Sequence, residues 1–162
     1  MQNAKRVITH YTSYVAGSPE KTFPLLCPVR EYEWIELWRG KLVYSDSGVA
    51  ELDCIFTTEN ADLNDRETWT CSRFEPPYAI DYVRMSSHTV TRLELRLMPA
   101  GPGTRITAGL VFTALDKAGD EYLGGLNSGT CEKHFKPCFI MLDHFLRTGT
   151  MLPAAEAAAR AA

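Results

Sequence analysis

The 162 residues carry a formal net charge of −3, with 45% hydrophobic and 23% charged side chains, the balance of a single globular domain long enough to enclose a core. Without a run of Lys or Arg, the chain lacks the footprint of a nucleic-acid binder and a polybasic membrane anchor. No apolar run approaches the ~20 residues of a spanning helix, and five cysteines without a CxxC pair argue for reduced, buried thiols over a disulfide framework.

The beginning, Met1-Gln-Asn-Ala-Lys-Arg6, leads into a strand pattern and not an apolar signal core. Stable membrane insertion is therefore not expected, and a cytoplasmic location is. Residues 6–16 are rich in β-branched and aromatic types and predict a first strand, ended by Gly17. Ser18-Pro19-Glu20 then supplies a capping hydroxyl, a proline at the first helical position and an acid in the first turn. Pro24 and Pro28 interrupt the helix this opens, so two short helices are expected, 19–26 and 29–36, meeting at a bend near Cys27-Pro28. Trp34, Ile35, Leu37 and Trp38 close the stretch.

From Trp38 the period changes to two. Residues 41–45 and 49–58 predict a hairpin across Asp46-Ser47-Gly48, with Ala50, Leu52, Cys54 and Phe56 alternating against Glu51, Asp53 and Thr57. Residues 60–65 read as a polar loop. Further strands are expected at 67–74, 78–86, 90–98 and 104–115, parted by Glu75-Pro76-Pro77 and by Pro99-Ala-Gly-Pro-Gly103. In the 90–98 strand, Leu93, Leu95 and Leu97 oppose Arg92, Glu94 and Arg96, the alternation of a half-wet sheet. Between 120 and 148, Tyr122, Leu126, Phe135, Cys138, Phe139, Leu142, Phe145 and Leu146 recur three and four apart. Glu132, Lys133, Lys136, Asp143 and Arg147 lie between them. This predicts one continuous amphipathic helix of roughly 43 Å. The Ala-rich tail at 150–162 has helix propensity but little to bury, so fraying or disorder is expected after a single domain at 1–149.

The order of elements, with the words Tyr14-Val-Ala-Gly-Ser-Pro-Glu-Lys-Thr-Phe23, Leu25-Leu26 and Glu33-Trp34, resembles the START-like (SRPBCC) superfamily over roughly residues 6–148. The resemblance implies an α+β helix-grip fold: a curved antiparallel sheet of about six to seven strands wrapped around a long C-terminal helix, with two short helices after the first strand. It also implies a largely apolar cavity between sheet and helix. Relatives hold lipids, sterols, polyketides or plant hormones there; others are aromatase/cyclases or heat-shock ATPase activators.

Within that frame the aromatic set Trp34, Tyr44, Trp69, Tyr82, Phe112, Phe135 and Phe139 supplies candidate pocket walls, or simply core. Arg73 shares a strand face with Trp69 and Cys71, and Arg84 shares one with Tyr82. A guanidinium on a concave face needs a carboxylate or an acidic ligand group, whereas one near a strand end reaches water. On the long helix Cys131, His134 and Cys138 share a face at offsets of three and four. Zinc would need a fourth ligand that no second cluster supplies, so a core or cavity stripe extending to Met141 is the expectation, with no metal. Pro137 removes a donor to the Lys133 carbonyl and should bend the helix beside His134. Glu51, Asp53, Asp81, His10 and His88 have no diagnostic pairing, and no GxSxG, phosphate-binding Gly loop or HExxH is present, so no catalytic residue is assigned and no cofactor is called for.

The expected function is binding of a small hydrophobic or amphipathic molecule (lipid, polyketide or aromatic compound). The expected site residues are Trp34, Tyr44, Trp69, Arg73, Tyr82, Arg84, Phe112, His134, Phe135, Cys138 and Met141. A polyketide cyclase/aromatase-type enzyme and an interaction module like the heat-shock ATPase activators are the alternatives. No nucleic-acid partner is expected, and a homodimer is left open.

Overall fold

The computed structural model describes residues 4–60 and 65–162. Strand β1 (Arg6–Val15) leads to helix α1 (Pro19–Thr22), which tightens directly into a 3-10 turn at Phe23–Leu26. A second 3-10 turn, Glu31–Glu33, precedes β2 (Lys41–Tyr44), β3 (Ile55–Asn60), β4 (Asp65–Glu75), β5 (Ala79–Met85), β6 (Thr89–Ala100) and β7 (Gly103–Ala114). Helices α2 (Lys117–Gly124), α3 (Thr130–Thr148) and α4 (Ala154–Ala161) follow.

The strands form one antiparallel sheet in the order β1-β7-β6-β5-β4-β3-β2. Neighbours from β2 to β7 are neighbours in sequence, so hairpins suffice; only β1 is brought in from afar, pairing from Arg6↔Thr113 to Val15↔Thr104. The period-two pattern sets the faces. Leu93, Leu95 and Leu97 on β6 and Ile106, Ala108, Leu110 and Phe112 on β7 are buried. On the other face Arg92 pairs with Glu94 at 2.9 Å and Arg96 with Asp81.

Helix α3 lies across the buried face, chiefly against β1. The Phe139 ring stacks on Tyr11 at 6.0 Å between centroids, and the Cys131 thiol donates to the Ala108 carbonyl at 3.3 Å. Near the helix end the amide of Ala16 donates to Asp143 Oδ1 at 2.8 Å. Gly149, at φ 71°, closes α3 in the left-handed conformation that glycine adopts without a Cβ penalty, its amide reaching the Phe145 carbonyl at 2.7 Å.

Four expectations are corrected. The continuous 120–148 helix is two helices, α2 and α3. Gly125 and Asn127-Ser128-Gly129 form a turn-rich break after α2 ends at Gly124, with the Asn127 side chain accepting from the Gly129 amide at 2.8 Å. The 41–58 hairpin does not turn tightly at Asp46-Ser47-Gly48. Residues 45–54 form a wide loop, and β2 meets β3 with Lys41 opposite Thr57; the Glu51 carboxylate collects the Ser45 hydroxyl and the amides of Asp46 and Ser47 inside that loop. The 29–36 helix shrinks to the Glu31–Glu33 turn. The tail does not fray: α4 packs on α3, Ala157 and Leu152 are buried, Leu152 bridges Ile35, and the Ala154 amide donates to Glu36 at 2.8 Å. Of the expected 60–65 loop, Asn60 and Asp65 pair as strand ends, and 61–64 lie outside the described residues.

Candidate functional site

Because α3 leans toward the β1 edge, its first half stands away from β3–β6, and a space remains between. The larger part is a chamber of about 570 Å³, with Trp69, Arg84, Leu93, Leu110, Phe112 and Phe135 among its walls and the exposed Glu59, Asn127 and Lys133 at its rim. A smaller recess of about 100 Å³ is lined by Glu31, Trp34, Trp38, Phe56, Tyr82, Leu95, Cys138 and Phe139. Trp69, Leu93, His134 and Phe135 line both, so the two adjoin.

The aromatic walls are locked to one another. Phe56 stacks on Trp69 at 5.3 Å, and Tyr82 meets Phe56 edge-on at 5.5 Å. Their polar atoms are taken up by protein acceptors. Trp34 donates to the Leu25 carbonyl (2.9 Å), Trp38 to Pro28 (2.7 Å), Tyr82 to Leu26 (3.0 Å) and Trp69 to Thr58 Oγ1 (2.8 Å). What remains facing inward is ring surface, a lining that favours an apolar body.

Polar groups enter at two places. In the chamber Arg84 lies 5.1 Å from the Trp69 ring centroid and 3.3 Å from the nearly buried Glu67 carboxylate. Thr58 also donates to Glu67, at 3.2 Å. Arg84 is loosely held: its reach to Thr91 Oγ1 is 3.5 Å, and Nε has no well-formed hydrogen bond. His134 faces both spaces. The residue is exposed overall, yet the protein around its ring desolvates it enough that this, and then the charge of Arg84, lowers its pKa below the ordinary 6.5. In the recess stands Glu31, whose pKa burial pushes up to about 8. Burial also pushes up the Tyr82 phenol and raises the Cys138 thiol to about 12.

Of the expected site residues, Trp34, Trp69, Tyr82, Arg84, Phe112, His134, Phe135 and Cys138 lie on this space. Three do not. Tyr44 is 56% exposed on the short β2 edge and donates to Asp46 at 2.7 Å. Met141 is buried in the core but lines neither chamber nor recess. Arg73 points away because β4 carries a bulge: Cys71 opposes Tyr82 and Arg73 opposes Asp81, which leaves Ser72 as an extra residue. The side-chain alternation inverts there, so Phe74 packs inward on Phe23 while Arg73 pairs with Glu75 at 2.7 Å in solvent.

Sequence reasoning missed Glu31, Trp38 and Glu67. Signals existed. Glu31, Trp34, Ile35 and Trp38 stand at i, i+3, i+4 and i+7, an apolar stripe with one acid in it, and Glu67 shares its alternation with Trp69 and Cys71.

No family model matches the chain, and no curated protein matches it. Solved structures do, at identities that speak to fold alone. A norcoclaurine synthase point mutant from Thalictrum flavum, in complex with a transition-state analogue, aligns with TM-score 0.66 at 8% identity over 92% of this chain and 99% of that one. Ara h 8.0201 aligns with TM-score 0.61 at 12% identity, covering 89% and 99%. CalU16 from Micromonospora echinospora gives 0.56 at 13%, covering 99% and 94%. These likenesses show the fold, which is a helix grip. Among the described residues no helix is long and apolar enough to cross a membrane.

Proposed function

We propose that this helix-grip chain binds a small hydrophobic or amphipathic molecule in the chamber between its sheet and α3. The observation that carries the reading is the lining: four aromatic N–H and O–H groups are satisfied by the protein itself, so the space offers ring faces to an apolar body. Arg84, with its incompletely engaged Nε, and His134 are the groups that orient the ligand. That a protein of this fold has been solved in complex with a transition-state analogue supports a small molecule as occupant. The test is titration with 1-anilinonaphthalene-8-sulfonate, together with native mass spectrometry of the protein from its own host. Saturable one-to-one binding, lost in Leu110→Trp, which fills the chamber, supports the reading. Equal binding by that folded variant overturns it.

A second reading is an enzyme of the polyketide cyclase/aromatase kind. It is favoured by one observation: a carboxyl and an imidazole, both biased toward neutrality by burial, face the same recess, where one can donate a proton and the other accept it. Exchange of His134 for Ala separates the readings. Lost turnover with retained affinity marks an enzyme; lost affinity without any turnover marks a binder.

A further inference from the structure

We propose that Glu31 anchors a protonated amine, so that the molecule held here is an amphipathic amine with an apolar or aromatic body. This rests on the ligand-binding reading above and names its ligand class. The Glu31 carboxyl lines the recess beside Trp34, Trp38, Phe56 and Trp69, and among the described residues it is the only carboxyl there. Among the described residues it has no hydrogen-bond or ion-pair partner. The cations that would serve are committed elsewhere: Arg30 turns outward to Glu33 at 2.7 Å, and Arg84 is paired with Glu67. A carboxyl among rings without a partner is costly to a fold. The group missing here is a positive charge, supplied from outside.

The surroundings favour an ammonium in particular. The three tryptophans of the chain line this recess, and their indole N–H groups are all engaged by protein acceptors. An ammonium among ring faces gains from their quadrupoles as well as from the carboxylate. A recess of about 100 Å³ admits a head group of a few atoms, while the adjoining chamber of about 570 Å³ takes the body. A neutral ligand carbonyl, accepting from protonated Glu31, would use the carboxyl but not the rings.

The proton balance gives a signature. Burial holds Glu31 largely protonated at pH 7, so an alkylammonium entering the recess forms the ion pair while the carboxyl proton leaves to buffer. The other titratable groups at the recess stay neutral. Tyr82 on β5 and Cys138 on α3 are raised by burial, and His134 on α3 is lowered.

The experiment is calorimetric titration of the full chain at pH 7 with 4-phenylbutylamine and with 4-phenylbutanol, in buffers of different ionisation enthalpy. The expected result is an amine bound at least about tenfold more tightly than the alcohol, with close to one proton released per amine and none per alcohol. Glu31→Gln should abolish both the preference and the release; Glu31→Leu should do the same, its fold checked by thermal unfolding. An alcohol bound as tightly as the amine, or a preference that survives in Glu31→Gln, overturns the amine anchor and leaves the cavity reading standing. If neither compound binds and neither displaces 1-anilinonaphthalene-8-sulfonate, the cavity reading fails and the anchor with it.

Discussion

The guanidinium of Arg84 lies over the indole of Trp69, Cζ 5.1 Å from the ring centroid, while the same indole donates from Nε1 to Thr58 at 2.8 Å. Thr58 passes that order on to Glu67, which closes the circle with Arg84. Three strands, β3, β4 and β5, are thus tied by a polar circuit along the chamber wall. Removing Arg84 takes from the nearly buried Glu67 carboxylate the cation it meets along this wall. Arg84→Ala is expected to lower unfolding free energy by about 2–4 kcal/mol, and the paired replacement Glu67→Gln/Arg84→Met by clearly less. Urea unfolding of the three chains checks this; equal losses in single and double variants would contradict it.

Arg73 provides the contrast. Its pair with Glu75 is exposed, so Arg73→Ala should change stability by no more than about 0.5 kcal/mol and leave probe binding as it was. Deleting Ser72 removes the β4 bulge yet leaves Arg73 opposite Asp81 and Phe74 opposite Ile80, so both faces persist and cooperative thermal unfolding is expected to be retained.

Glu31 makes stability fall as pH rises. Its folded pKa of about 8 lies above its ordinary value of 4.5, so between these pH values the unfolded chain gives up a proton that the folded chain keeps. Folding is then progressively opposed from about pH 4.5 to 8, and the effect is complete above that. Glu31→Gln should flatten this decline, with its largest gain over the parent chain near pH 8. Urea midpoints at pH 5, 6.5 and 8 measure it, and a parallel pair of profiles would count against a raised Glu31.

The C-terminal segment is predicted to be part of the folded unit. Leu152 is 2% exposed and Ala157 fully buried against α3. Leu152→Ala should cost about 2–4 kcal/mol, and Ala157→Asp should cost more by burying an unpaired charge. Chemical denaturation and hydrogen exchange in α3 report both.

At the start of α2, the Asp116 side chain accepts from the Gly119 amide at 2.9 Å and contacts His88 Nδ1 at 2.7 Å. Asp116→Ala should lower stability by about 1 kcal/mol through the lost cap. Asp116→Asn, which still caps, should recover most of that, as read from thermal midpoints.

Where one residue's chemistry set the local outcome, the sequence was legible. The alternation of Leu93, Leu95 and Leu97 against Arg92, Glu94 and Arg96 announced β6 and its two faces, and the three-four spacing from Phe135 to Leu146 announced α3. Pro19 after Ser18 announced α1. The helix break was written there too, in Gly124-Gly125 and Asn127-Ser128-Gly129, but an apolar spacing that resumed beyond it hid the turn.

Other outcomes depended on neighbours distant in the chain. A single extra residue at Ser72 inverts a face, and no local signal distinguishes a bulged β4 from a regular one; the partner strand decides it. The Ala-rich tail has weak propensity and gains its helix from packing on α3. The cavity is the clearest case. The sequence supplied the aromatic walls and, through resemblance, the expectation of a container. Only the tertiary structure brought Glu31 from a short turn, Trp69 from β4 and His134 from α3 around one space. Burial and charge at a site are properties of what surrounds a residue, and those surroundings come from segments far apart in the chain.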